Sequence, residues 1–207
     1  MTEHSEELEL KDRIGLIENM MAEGRRTTER WGWTFVLWGV AYLVATAWSS
    51  GLVGGPVWGQ RYLAWPVTMI AASIATGMAI ARMKKGQPAT TLGRAIGATW
   101  AAMGISLFVV LMSLGLSGRY DTHVFVAIIG GMLGVANMAS AIILKWKMQF
   151  ACAAVWLGST VAACFGTENQ AGIAFLVGTF FCQIVFGIYA MICESRRRRQ
   201  QGEVANA

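Results

Sequence analysis

Ionisable side chains, on which most catalysis and coupled transport depend, are scarce in the long central part of this 207-residue chain. Between Trp31 and Cys193 the only acidic residues are Asp121 and Glu168, and the only histidine is His123. Proton-coupled carriers, pumps and voltage sensors need ionisable groups at membrane depth, and hydrolytic or metal centres need paired bases, nucleophiles or ligands. The sequence therefore predicts a protein that is not an enzyme and holds no cofactor or metal.

Five polar residues are predicted to lie at one end of the molecule, in short connections between apolar runs. They are Arg61, Arg119, Asp121, His123 and Glu168. If these connections converge, the group could bind a small anion or act as a sensor. Ordinary polar residues at the level of lipid headgroups give the same pattern. The sequence leaves both interpretations open.

Two amide side chains are the polar residues expected deepest in the apolar part of the chain. Counted from Val124 and Ala171, at 1.5 Å per helical residue, Asn137 and Gln183 lie roughly 20 Å and 18 Å from the same surface. Interhelical amide pairs are a common way to satisfy such groups in a membrane. We therefore predict that the two residues contact each other, and the alternative is that they line a polar pathway.

These residues are positioned by six apolar runs, none of which contains a charged residue. The runs are Gly32 to Ser50, Tyr62 to Ala81, Ala95 to Leu116, Val124 to Leu144, Met148 to Phe165 and Ala171 to Cys193. Each run is close to the roughly 20 residues that cross a hydrocarbon core, and lipid requires helices where no barrel pattern exists. The prediction is an all-α integral membrane protein, with six transmembrane helices arranged as three hairpins.

The basic residues orient this bundle. In the predicted topology 15 of the 17 lysines and arginines lie on one side, with Arg61 and Arg119 on the other. By the positive-inside rule both termini are cytoplasmic. The net charge of +5 follows from this bias, so we predict a lipid bilayer and no nucleic acid as the environment of the basic segments.

The first thirty residues are predicted to form a separate amphipathic head helix from Ser5 to Arg30. Leu10, Ile14, Ile17 and Met21 recur at helical spacing and make one apolar stripe on an otherwise charged helix. The membrane surface, a second copy of the helix or a cytosolic protein could cover this stripe. The predicted division is a cytoplasmic head helix at 1–30, a transmembrane bundle at 31–193 and a basic cytoplasmic tail at 194–207.

The opening of the chain also carries a family resemblance. The stretch Ile14-Gly-Leu-Ile-Glu-Asn-Met-Met21, followed by Trp33-Thr-Phe-Val-Leu-Trp-Gly39, resembles a group of uncharacterised small bacterial multi-pass membrane proteins. In that group a Leu-Ile-x-x-Met amphipathic helix leads into a Leu-Trp-Gly first span. The resemblance covers about the first forty residues. It implies the cytoplasmic (inner) membrane of a bacterium and no known activity.

These patterns favour a non-enzymatic membrane protein that acts by interaction. The stripe on the head helix would be presented to a partner, as in a regulatory, sensory or scaffold module. The alternative function is a channel or facilitator for a small uncharged or hydrophobic solute. A lumen lined by polar side chains would favour the facilitator, and a solid core with a docked head helix would favour the interaction module.

Overall fold

The computed structural model describes residues 3–52, 63–83, 91–119 and 121–205, and all regular structure in these ranges is helical. The elements are α1 (Glu3–Arg30), α2 (Gly32–Ser49), α3 (Ala64–Met83), α4 (Thr91–Leu116), α5 (Thr122–Leu144), α6 (Lys147–Phe165), α7 (Glu168–Thr179), a π-helical segment (Phe180–Val185) and α8 (Phe186–Ala205).

Five helical stretches are long and apolar enough to cross a membrane. They are Ala64–Arg82, Thr91–Leu116, Thr122–Leu144, Lys147–Phe165 and Glu168–Gln200, the last of which runs through α7, the π-helical segment and α8. The prediction of an all-α, multi-pass membrane protein is confirmed at this level. The first predicted span corresponds to α2, an 18-residue helix without charges that falls outside this set of five.

The centre of the bundle is formed by α5, α6 and α7. Among the described helices, α5 and α6 make the most extensive contact, although they belong to different predicted hairpins. A Cβ at Gly130 would come within 2.8 Å of the Trp156 carbonyl oxygen, and one at Gly134 would come within 2.7 Å of Leu157. Because glycine has no side chain, the two helix backbones approach closely here, as small residues allow in membrane bundles.

Helices α3 and α4 lie at the periphery. Only 11% of the apolar window of each is buried, compared with 50% for α5. Helix α3 packs on α2, and α4 packs on α5 and α1. The indole Nε1 of Trp100 on α4 donates a hydrogen bond of 3.1 Å to Ser140 Oγ on α5. The three-hairpin arrangement stays a prediction, because the most extensive contact among the described helices joins α5 and α6 of different predicted hairpins.

Several predicted boundaries differ from those of the helices. Helix α1 begins at Glu3 rather than Ser5, and α4 begins at Thr91 rather than Ala95. The predicted start of the basic tail, at residue 194, lies inside α8, which continues to Ala205. Apolar runs end where charges begin, but a helix needs only backbone hydrogen bonds and continues into water.

Candidate functional site

The stripe on α1 is largely uncovered. Leu10, Ile14 and Ile17 are 58%, 49% and 55% exposed, and Met21 is half-buried. Large apolar side chains scattered singly on a surface need no explanation, but an aligned row on one helix face does. The structure therefore presents this row as a candidate interaction surface.

The same face of α1 is buried where it reaches the bundle. The stripe continues with its spacing of three and four residues to Gly24 and Thr28, both of which are buried. A Cβ at Gly24 would lie 2.6 Å from a methyl group of Leu144 and 2.8 Å from one of Leu92. These two leucines lie at adjoining ends of α5 and α4. The bundle thus covers this face of α1 at Gly24 and Thr28, and the part of the face at Leu10, Ile14 and Ile17 is uncovered.

An ion-pair network fixes the end of α1 to α8. Glu29 accepts a hydrogen bond from the guanidinium of Arg197, and both side chains are largely shielded from water. Glu194 faces three guanidinium groups, with N···O distances of 3.6 Å to Arg30, 3.6 Å to Arg197 and 2.8 Å to Arg198. Carboxylates shared between arginines form stronger networks than isolated surface pairs. The network joins residues more than 160 positions apart in the chain.

The two predicted intramembrane amides are both buried, Asn137 at 1% and Gln183 at 3% exposure. Asn137 Nδ2 donates a 2.8 Å hydrogen bond to the carbonyl oxygen of Leu133 in its own helix. Its Oδ1 has no hydrogen-bond partner among the described residues, so no hydrogen bond joins it to Gln183. The expected pairing by hydrogen bond is therefore absent, and a contact without one stays a prediction.

Further polar atoms are buried in the core without a hydrogen-bond partner in the described part of the chain. They are both amide atoms of Gln149, the indole Nε1 of Trp156 and the hydroxyl of Thr179. Gln149 is completely buried, although it lies only two residues into α6. An unpaired buried polar group costs about 1–3 kcal/mol, so each of these atoms needs an explanation. Sequence reasoning missed them, and the one sequence signal for Gln149 is a glutamine near the start of a largely apolar run.

The predicted residue Gln183 lies in the π-helical segment that joins α7 to α8. The wider turn of a π-helix is rare and often marks a functional position. Next to it, Cys182 Sγ approaches the Cys152 carbonyl oxygen on α6 at 3.6 Å. The π-helical segment thus brings a glutamine and a cysteine into the core.

The polar group predicted at the opposite end takes part in local structure. Asp121 caps α5 by accepting a 2.7 Å hydrogen bond from the Val124 amide. Thr122 donates a 2.7 Å hydrogen bond to Glu168, and His123 Nδ1 lies 2.7 Å from the Ala163 carbonyl oxygen. Arg119 is exposed, and Arg61 falls outside the described residues. The structure thus brings the α5 cap close to the start of α7, and a shared binding site for this group stays a prediction.

No protein-family model, curated protein or solved structure matches this chain. Its function is therefore inferred from its own residues and their geometry.

Proposed function

We propose that this protein acts in the membrane by interaction, without catalysis, and that α1 is the element it presents to a partner. The proposal rests on one face of α1 that continues from the bundle into an uncovered part of the helix. This face is buried at Gly24 and Thr28 and exposed at Leu10, Ile14 and Ile17. A helix laid into an apolar groove is recognised through anchors at this spacing. The partner is a cytosolic protein or a second copy of the chain.

The charge of α1 supports a protein partner over the membrane surface. Residues 3–23 contain seven acidic and two basic residues, giving a net charge of −5. Helices that bind the surface of an anionic leaflet are usually rich in lysine and arginine, and each basic residue there contributes about 1 kcal/mol. An excess of acidic residues therefore opposes binding of this helix to such a leaflet.

The rigid attachment of α1 also supports the proposal. The Glu29–Arg197 pair and the close contact of Gly24 with Leu144 fix one end of the helix. An anchored helix loses less conformational freedom on binding than a mobile one. A short apolar stripe on such a helix can therefore serve as a recognition element.

The test is capture of partners from native membranes by the full chain. Ile14→Asp combined with Ile17→Asp places two charges in the stripe, so the captured partner or the self-association should be lost. Membrane insertion and melting temperature should stay unchanged, because the spans fold through their own helix contacts.

A matched control is available on the same helix. Leu16→Asp with Asn19→Asp adds the same two negative charges on the side of α1 away from the stripe, and both positions are exposed. This control should retain every partner. If the stripe variant retains them as well, α1 is not the interaction element.

The location of the protein and its orientation in the membrane are inferred from its charges and its first forty residues. We propose a multi-pass protein of the bacterial inner membrane, with α2 as a sixth span and both termini in the cytoplasm. The basic residues beside the spans and the resemblance of the first forty residues support this. A reporter fused after Arg199 should read as cytoplasmic and one at Ser117 as periplasmic. The reverse result would overturn the orientation.

The second candidate function is a facilitator for a small uncharged solute. The buried, unpartnered atoms of Asn137, Gln149 and Thr179 favour it, because polar groups at membrane depth often line a pathway. The complete burial of Trp156 and Ala153 opposes it, since both lie in the middle of the bundle. Glycerol uptake into vesicles containing the protein tests this function. Uptake no faster than in empty vesicles would eliminate glycerol as the solute.

A further inference from the structure

A groove lined by acidic, basic and apolar side chains lies between the α1–α2 junction and α8. It is open, measures about 520 Å³ and has Glu29 and Arg30 on one wall. Ser195, Arg198 and Arg199 form the polar part of the opposite wall. Trp33 and Met191 line it on the side of the apolar spans. The groove is thus polar at one end and apolar at the other.

The charges in the groove leave a positive excess. Its two carboxylates are already engaged, Glu29 by Arg197 and Glu194 by Arg197 and Arg198. Three arginines, Arg30, Arg198 and Arg199, line the groove with these two carboxylates, and Arg197 pairs with both carboxylates without itself lining the groove. Arg199 is exposed and makes no ion pair among the described residues. An anion entering the groove would therefore meet a guanidinium group that has no competing partner.

The position of the groove suggests which anion it receives. Arg30 lies two residues before the start of the apolar α2, and Glu194 directly follows the predicted end of the last apolar run. Tryptophan is enriched where such spans meet the headgroup layer, and the apolar Met191 beside Trp33 in the groove is 46% exposed. Basic pockets between helices at this level bind anionic headgroups.

We propose that this groove binds the headgroup of an anionic phospholipid, with the phosphate beside Arg198, Arg199 and Ser195. The acyl chains run along Trp33 and Met191. Guanidinium groups form charge-assisted hydrogen bonds with phosphate oxygens, and the serine hydroxyl can donate another. The lipid bridges the start of α2 and the end of α8, next to the ion pairs that hold α1. Its binding is independent of whatever covers the stripe on α1.

The test uses the full chain in detergent, with its thermal stability measured as lipid is added. Phosphatidylglycerol should raise the melting temperature in a saturable manner, whereas phosphatidylcholine should not, because its headgroup is neutral overall. Inorganic phosphate distinguishes the two possible sources of the anion. If it stabilises as much as phosphatidylglycerol, the groove binds a free anion and the lipid assignment is overturned.

Two single substitutions test the position of the site. Arg199→Gln should weaken phosphatidylglycerol binding about fivefold, the factor that corresponds to about 1 kcal/mol per basic residue near the surface. The control is Arg196→Gln, which removes the same charge from an exposed position of α8 outside the groove. It should change binding less than twofold. Equal weakening by the two substitutions would show diffuse attraction to the arginine cluster and overturn the proposal.

Discussion

Gly187→Val is expected to destabilise the bundle by about 3 kcal/mol, the upper part of the usual range for overpacking. A Cβ at this position would lie 2.8 Å from the Gly32 carbonyl oxygen and 3.0 Å from the Val36 backbone nitrogen. Both are backbone atoms, so no side-chain rotation relieves the contact, and α2 and α8 must separate. Reversible unfolding in mixed detergent micelles measures the loss.

A second glycine provides the control for this prediction. Gly158 lies on the exposed face of α6, and a Cβ there would meet nothing within 4 Å. Gly158→Val should therefore change the stability by no more than about 0.5 kcal/mol, the order of the difference in helix propensity. Equal losses from the two substitutions would contradict the close α2–α8 crossing.

Glu194→Ala is expected to release α1 from α8. It removes the carboxylate that faces Arg30, Arg197 and Arg198 and leaves those charges near one another at the end of the bundle. Breaking a buried ion pair costs about 3–5 kcal/mol, and the partial exposure of these arginines reduces the expected cost to about 2 kcal/mol. Amide hydrogen exchange in residues 24–30 should accelerate about thirtyfold, the factor that corresponds to this energy.

An exposed ion pair on the same helix is the control. Lys11 and Glu7 are 3.0 Å apart, with side chains 70% and 63% exposed. Glu7→Ala should alter exchange at residues 24–30 less than twofold, because exposed pairs of this spacing contribute about 0.3–0.5 kcal/mol. Unchanged exchange in Glu194→Ala would contradict a role for Glu194 and would mean that the Glu29–Arg197 pair and the packing at Gly24 are sufficient to hold α1.

The helices were predictable because their signals are local. A run without charges predicts a span from its own residues, and the spacing of Leu10, Ile14 and Ile17 predicts that they share one face of a helix. The same reasoning placed most boundaries within about four residues, but it ended the last helix at Cys193, whereas α8 continues to Ala205. It could not show that this face docks at Gly24, because the docking depends on Leu92 and Leu144 from distant parts of the chain.

The polar contacts were not predictable for a related reason. Asn137 and Gln183 were matched by depth, but the rotation of each helix decides where a side chain points. In the structure the amide nitrogen of Asn137 bonds within its own helix. The burial of Gln149 and the Glu29–Arg197 pair likewise depend on tertiary packing, and the π-helical turn at Gln183 has no periodic signature in the sequence.

Cysteine labelling in native membranes shows directly whether a partner covers the stripe on α1. Ile17 and Leu16 are 55% and 62% exposed in the isolated chain, so Ile17→Cys and Leu16→Cys should react equally with a membrane-impermeant maleimide once the protein is purified. Mass spectrometry reads the label at each position. In native membranes opened to the cytoplasmic side, residue 17 should be protected and residue 16 should react. Equal labelling of both positions in native membranes would contradict the proposed interaction.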